Sequence, residues 1–410
     1  MTTSIARSAL AAAALSLLSL APLGAQGTGS GGGTGTAPVD SQAPAAKPAQ
    51  AAPAAPPLEF SGVIFGKYET RTDSAARAGA GGERPSQFTV DRVYLTFRMP
   101  VGDRMSIRAT TDIVQQANGW GVRLKYGYLQ ANLLENIAGR KGLNALARVG
   151  MLHTVMIEHE ESFWPRYLGP VAAERFGFFS SSDLGVATQV SLPAKLGEVY
   201  ATVTNGPGYA TPENDRFKDV AARVTITPFG GRPGWLSTFA ISPWVYRGAT
   251  ASRFVNGGAG QAGPIPDAMA RNRWGIVAGV RDPRLTLAAH YARRTEDVES
   301  GANTLASPRA VASSTGELWS VHGVARPFAW AWGRNTARLG LVGRLDHFSP
   351  VAGREGSVRQ VIAGIQLEPT SRTALALDYQ ELAPRDFAGG GAAAGTTRSS
   401  GWYLHWSASF

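Results

Sequence analysis

The chain has no cysteine among its 410 residues, so disulfides, thiolate metal sites and cysteine nucleophiles are all excluded. Its body contains no run of about 20 apolar residues, which excludes spanning helices there. That test is blind to a β-barrel, whose lipid-facing and water-facing residues alternate and average out in any hydropathy window. Acids are the scarcer charge, Asp+Glu 30 against Lys+Arg 40, for a net charge of +10. The arginines form neither a run nor a helical stripe. They are scattered singly through strand-like segments, which argues for charge lining a space and against a nucleic-acid partner. The six histidines are dispersed, no GxSxG occurs, and the HExxH spacing of a zinc helix is missing.

What is present begins with a secretory pattern in Met1 to Ala25: Arg7, then an apolar core from Ala9 to Leu20, then a small-residue cleavage region. Gln26 to Pro57 is Gly/Ser/Thr-rich and then Ala/Pro-rich, too poor in apolar bulk for a core and suited to a periplasmic tether. Its GxGxxG at Gly27, Gly29 and Gly32 is a chance match, because no strand precedes it and no helix follows.

From Leu58 onward, roughly 16 segments with strand periodicity recur, from Leu58 to Thr70 through Arg398 to Phe410. The gaps between them alternate. Short ones (PVGD at Pro100, DP at Asp282, PTS at Pro369) follow even strands. Long ones (Arg71 to Gln87, Met156 to Ser182, Gly248 to Asn272, Glu296 to Gly316, Ala383 to Thr397) follow odd strands. The expected fold is therefore an all-β, antiparallel transmembrane barrel of about 16 strands, with short periplasmic turns and long extracellular loops. Leu58 to Thr70 and Trp235 to Arg247 fit the alternation badly, the second because of Pro243.

In the last segment Trp402, Leu404, Trp406, Ala408 and Phe410 share one face, and Tyr403, His405, Ser407 and Ser409 the other. This ending resembles the terminal strand of outer-membrane barrels, and the resemblance implies recognition by the barrel assembly machinery through Phe410. The whole of Leu58 to Phe410 resembles a bacterial outer-membrane porin of the phosphate-selective type, most closely in Val203 to Pro228 and in the hairpin Val90 to Ile113. That resemblance implies a homotrimer in lipid and lipopolysaccharide through which small hydrophilic solutes diffuse. It departs from the type in one respect: arginine, not lysine, dominates the expected inner face.

Charge at mid-membrane costs about 2–4 kcal/mol on the lipid face. Arg92, Arg98, Arg104, Arg108, Arg123, Lys125, Arg148, Arg223, Arg273, Arg281, Arg344 and Arg372 are therefore expected to point inward and to favour anions. The bland alternative is that many pair with Asp112, Asp346 and Asp378 and brace the wall. If the gap Met156 to Ser182 folds into the channel, Glu158, Glu160 and Glu161 would face that basic wall, with Arg166 and Arg175 modulating it; a loop over the outside is the alternative. His153, Glu158, His159 and Glu160 lack metal-ligand spacing, so neither a metal nor a cofactor is implied. Tyr126, Tyr128, Trp235, Trp274, Trp319, Trp330, Trp332, Trp402 and Trp406 suggest interfacial girdles. An adhesin using the long loops and a barrel hydrolase are the competing classes, the latter lacking a clustered nucleophile, histidine and carboxylate.

Overall fold

Period-two alternation gives each segment one apolar and one polar face, and a sheet built from such segments buries its edges by closing on itself. The structure, a computed structural model, describes residues 57–410 apart from 117, 214, 253–267, 334–336, 353–355 and 386–396. The expected signal segment and the tether up to residue 56 lie outside the described residues, as do parts of the gaps Gly248 to Asn272 and Ala383 to Thr397.

The first eight strands are β1 (Glu59–Arg71), β2 (Ser86–Gly102), β3 (Met105–Gln116), β4 (Gly119–Leu134), β5 (Asn144–His153), β6 (Ser182–Ser191), β7 (Gly197–Thr204) and β8 (Asp219–Ile226). The rest are β9 (Ala240–Thr250), β10 (Met269–Asp282), β11 (Leu285–Ser300), β12 (Ala310–Ala325), β13 (Leu339–Ser349), β14 (Ser357–Thr370), β15 (Thr373–Arg385) and β16 (Ser399–Ser409). Each pairs antiparallel with its sequence neighbour, and β1 pairs with β16 to close the ring.

Three boundaries differ from the periodicity reading. Trp235–Thr238 is a helical turn, because Gly234 at φ 123° breaks the extended chain, and β9 begins at Ala240. Pro243 sits on the outer face of β9, where the β8 ladder skips from Arg223↔Trp244 to Ile226↔Ile241 because proline brings no N–H. The gap Glu296 to Gly316 is mostly strand, since the β11–β12 register runs on to Ser300↔Ala310 and Arg309 Nε donates to Glu299 at 2.8 Å. Pro327–Ala331 is a short helix, with its proline at the first helical turn.

The barrel is inside-out relative to a soluble one. Ile107, Leu124, Val186, Ile276, Val321, Leu345 and Leu404 stand exposed on the outside, while Asp112, Arg223, His322, Arg344, Asp346 and Asp378 are buried inside. The terminal strand obeys the expected split, with Trp402, Leu404 and Phe410 exposed and His405 buried. Outward aromatics pack in pairs and chains, as in Trp274–Tyr291–Trp319, Tyr379–Trp402 and Tyr68–Phe88 towards the loop end, and Phe60–Phe97 towards the turn end. Tyr126 and Tyr128 do not belong to this girdle, because both point inward, 4% and 8% exposed. A bulge opposite Thr110/Thr111 makes Lys125 an extra residue, so that Lys125 and Tyr126 both face the lumen.

One sector is different. β5 to β8, with 8 to 10 residues each, are the four shortest strands, and none presents an aromatic residue outward. Ala147, Val149, Val186, Ala201, Ala222 and Val224 keep the middle of that surface small, with Leu184 and Ile226 as larger exposed side chains nearer its ends.

Candidate functional site

The 28 residues from Thr154 to Ser181 carry too much apolar bulk to lie in water, and they fill the barrel instead. Val155, Met156, Ile157, Phe163, Trp164, Leu168, Val171, Ala172, Ala173 and Phe178 are each at most 1% exposed. They pack on inward-facing Val277, Ala288, Ala292, Leu318, Val342, Ile362 and Ala376 of β10 to β15. Small and apolar residues on that stretch of wall make the berth for the loop, and sequence periodicity alone shows no reason for them.

Polar contacts then lock the loop backbone to the wall. Arg344 of β13 donates to the Pro170 carbonyl, Arg294 of β11 to that of Phe176 at 3.2 Å, and Gln380 of β15 to that of Leu168 at 3.1 Å. Arg223 of β8 reaches the Val155 carbonyl and Arg273 of β10 that of Phe178. Tyr167 donates to Gln366 of β14 at 3.1 Å. Arg223, Arg273 and Arg344 also pair with Glu198, Glu296 and Asp346. These three guanidinium groups brace the loop, as in the bland alternative. Arg294, Gln380 and Tyr167 were missed because their partners are carbonyls or side chains 118 to 212 residues away in sequence.

Against the loop stands a basic wall on β2 to β5. Arg98 lies in register between Glu59 of β1 and Arg108 of β3. The like-charged Arg98–Arg108 pair costs the sheet stability, offset in part by Glu59 on the other side of Arg98. Tyrosine rings hold the cationic heads: Arg108 lies 4.5 Å over Tyr126, Lys125 4.1 Å over Tyr94, and Arg148 5.5 Å over Tyr128. Arg92 pairs with Asp112, and Arg123 lies opposite Asp112 in register. Arg104 and Arg372 are in exposed turns and not on strand faces. Arg281 is exposed near the turn end of β10 and lies 5.4 Å over Phe163.

The loop acids divide, because the short helix Ile157–Glu161 turns neighbouring side chains apart. Glu158, with 54% of its side chain exposed, pairs with His153 and lies 3.8 Å from Arg108. Glu161 and Glu174 both pair with Arg166, the first at 2.9 Å. Arg175 stays exposed. Glu160 does not face the basic wall; it is fully buried and 3.1 Å from His290 Nδ1. Trp244 Nε1–H donates to His290 Nε2 at 3.2 Å, which leaves Nδ1–H to donate to Glu160. Burial alone would raise the Glu160 carboxyl, but His290 beside it and the hydrogen bond that His290 donates outweigh burial and hold the group at about 2. Burial raises Glu161 above an ordinary glutamate despite the attraction of Arg166 and Lys125.

A second loop crosses the mouth. Tyr209, from the segment between β7 and β8, donates to Asp112 of β3 at 2.9 Å, and Arg92 lies 3.5 Å from the same hydroxyl. Below the constriction, an open cavity of about 1130 Å³ runs along β5 to β10 to the turns. Among the described residues no cluster has the makings of a metal site. Asp346 faces inward and His347 outward, while Ser320 and His322, 3.1 Å apart, are buried beside Trp164. None of these four lines the cavity.

No protein-family model matches the sequence, and no relative is found among curated proteins. Solved structures do match. The anion-selective porin from Comamonas acidovorans aligns over 86% of this chain and 99% of its own, with a TM-score of 0.57 at 11% identity. The outer membrane channel DcaP of Acinetobacter baumannii aligns over 88% and 99%, TM-score 0.54, 13% identity. The trimer form of the Vibrio cholerae outer membrane protein OmpT aligns over 87% and 100%, TM-score 0.54, 10% identity. What this chain shares with them is the fold, a closed antiparallel barrel of sixteen strands.

Proposed function

We propose that this chain is an integral outer-membrane porin, a water-filled channel for passive diffusion of small hydrophilic solutes with a preference for anions. The observation that carries the reading is the inward loop opposite a wall of lumen-facing cations. A folded obstruction narrows the path, and Arg98, Arg108, Arg123 and Arg148 attract negative charge into it. With arginine in excess and Lys125 only 4% exposed, the preference is for anions as a class and not for phosphate alone.

The test is the reversal potential of purified protein in a planar bilayer under a potassium chloride gradient. The anion-selective sign is expected. Arg108→Ala removes one charge, worth about 0.5 kcal/mol at ~8 Å in water. Salt screening over a Debye length of about 8 Å cuts that to roughly a third, and because the anion loses what the cation gains, Arg108→Ala and Arg123→Ala should each lower the anion-to-cation permeability ratio about twofold. A cation-selective sign would mean that the loop acids govern the pore, and absence of conductance from folded, inserted protein would overturn the channel.

The same reading places the outward apolar face in lipid, outward Arg247 and Arg293 near lipopolysaccharide phosphates, and Phe410 as the signal for the barrel assembly machinery. The trimer fits the β5 to β8 sector. On β7 and β8, eight residues at 3.4 Å, tilted by about 40°, span roughly 21 Å, less than the apolar band of about 25 Å that a lipid-facing wall needs. A low wall with small residues across its middle suits another copy better than lipid. Ala201→Cys on β7, in a chain with no other cysteine, should be joined into dimers and trimers by a flexible bis-maleimide. Val321→Cys on β12, five strands round the ring from β7, should stay monomeric on a denaturing gel, and the reverse pattern would move the interface.

A further inference from the structure

Resting on the channel reading, we propose that the cavity on the turn side of the constriction is a binding site for small multivalent anions, reached from the periplasmic face. Its volume of about 1130 Å³ is at or above the upper end for ligand pockets, so a solute enters it whole. Lys141, Arg148, Lys195, Arg223 and Arg281 line it, against the carboxylates Glu158 and Glu198.

Both acids are already engaged. Glu198 pairs with Arg223, and Glu158 pairs with His153 within 3.8 Å of Arg108. Among the described residues, Lys141, Arg148, Lys195 and Arg281 are left with no carboxylate partner. Neither Arg148 nor Arg281 is loose. Arg148 Nε donates to Gln130 at 2.9 Å and its head lies over Tyr128 and Tyr200, while Arg281 lies over Phe163. On the same lining, His159 Nε2 is buried with no hydrogen-bond partner.

The rim is built to hold its shape. Ala194 and Lys195, both on the lining, take left-handed backbone angles of φ 53° and 57°, an uncommon state for residues with a Cβ. The neighbouring turn closes on them at Gly230, where a Cβ would meet the Lys195 carbonyl at 2.0 Å.

Charge number decides the ligand class. A monovalent anion engages one such group and leaves the others to solvent screening over ~8–10 Å, whereas an anion bearing two or more negative groups on one skeleton engages several at once. Guanidinium forks accept carboxylate and phosphate alike, so polycarboxylates and condensed phosphates share the required chemistry. The cavity opens between the turns at 135–143, 192–196 and 227–239, and the loop residues Glu158, His159, Ser162 and Phe163 narrow its other end, so access is easier from the turns.

Single channels, oriented by a bulky label on Ser307→Cys in the segment between β11 and β12, would be recorded in potassium chloride with citrate or tripolyphosphate added to one side. Block from the turn side is expected at a concentration at least tenfold lower than from the loop side, with acetate inactive. Arg281→Ala and Lys195→Ala should each raise the half-blocking concentration severalfold while single-channel conductance shows that the pore is intact. Block by citrate alone assigns polycarboxylates, and block by tripolyphosphate alone assigns condensed phosphates. Equal block from both sides, block insensitive to both substitutions, or no block in a normally conducting channel overturns the site and leaves the porin standing. Absence of any conductance overturns the porin reading itself.

Discussion

Arg344→Ala is expected to destabilise the folded barrel by about 3–5 kcal/mol, the cost of removing one partner from a buried ion pair. Its side chain is 1% exposed and that of Asp346 is 0% exposed. Nε lies 3.0 and 2.9 Å from the two carboxylate oxygens, and Nη2 lies 2.7 Å from one of them. The remaining amino group holds the Pro170 carbonyl, and the guanidinium lies 5.5 Å over Trp164. Truncation therefore strands a carboxylate and frees the middle of the loop. Two readouts follow: a lower unfolding temperature in detergent, and a noisier single-channel current as the constriction fluctuates. Arg344→Met with Asp346→Leu should recover most of the stability, because replacing a buried pair with apolar residues is far less costly than breaking it. The noise should persist in the double variant, since Pro170 still lacks its donor. Arg104→Ala, in an exposed turn, should stay within about 0.5 kcal/mol of the parent. Full stability of Arg344→Ala would mean that the loop is not anchored on β13.

The contrast between these arginines marks how far sequence reasoning reaches. Alternation alone places Arg344 inward, as it does Arg92, Arg108 and Arg223, because a strand offers only two faces and one of them is apolar. It does not say which inward arginine stays free. That depends on where the loop lays its carbonyls, and Pro170 is 174 residues away from Arg344. The same limit governs the acids: Glu158, Glu160 and Glu161 are adjacent in sequence, but one helical turn sends Glu160 to His290 and leaves Glu158 in the lumen. Tyr126 was misplaced for a different reason. A single bulge at Lys125 inverts the parity of everything after it on β4, and no turn residue announces it. The strands, their order and the wide face of the terminal strand were legible because lipid on one side and water on the other impose a local pattern. The constriction was legible only as one of two alternatives for the gap Met156 to Ser182, because the contacts that hold it to β11, β13, β14 and β15 are 118 to 212 residues away in sequence.

Gly66→Val and Gly62→Val are expected to disrupt closure of the ring. On the outer face of β1, a Cβ at Gly66 would lie 2.4 Å from the indole of Trp406, and one at Gly62 would lie 2.4 Å from the ring of Phe410. These glycines leave β1 bare so that the aromatic rings of β16 can lie flat across the seam. The seam is the one place where strands distant in sequence must find each other, in the register Val63↔Ser409 to Arg71↔Gly401. At its end Gly62 and Phe410 exchange backbone hydrogen bonds, each of 3.0 Å. Either valine must displace a ring or part the strands, and overpacking of this kind costs about 1–3 kcal/mol. At the seam that cost also exposes two unpaired strand edges, which invite aggregation. The folded, heat-resistant fraction on a cold gel should fall sharply for both variants. Gly343→Ala on β13, where a Cβ would meet nothing within 4 Å, should fold like the parent. Pairing Gly66→Val with Trp406→Ala should restore closure, because it removes the ring with which the new side chain collides. If that pair fails while Trp406→Ala alone folds, the defect lies in the backbone freedom of Gly66 at the Phe65/Gly66 bulge and not in the ring that covers it.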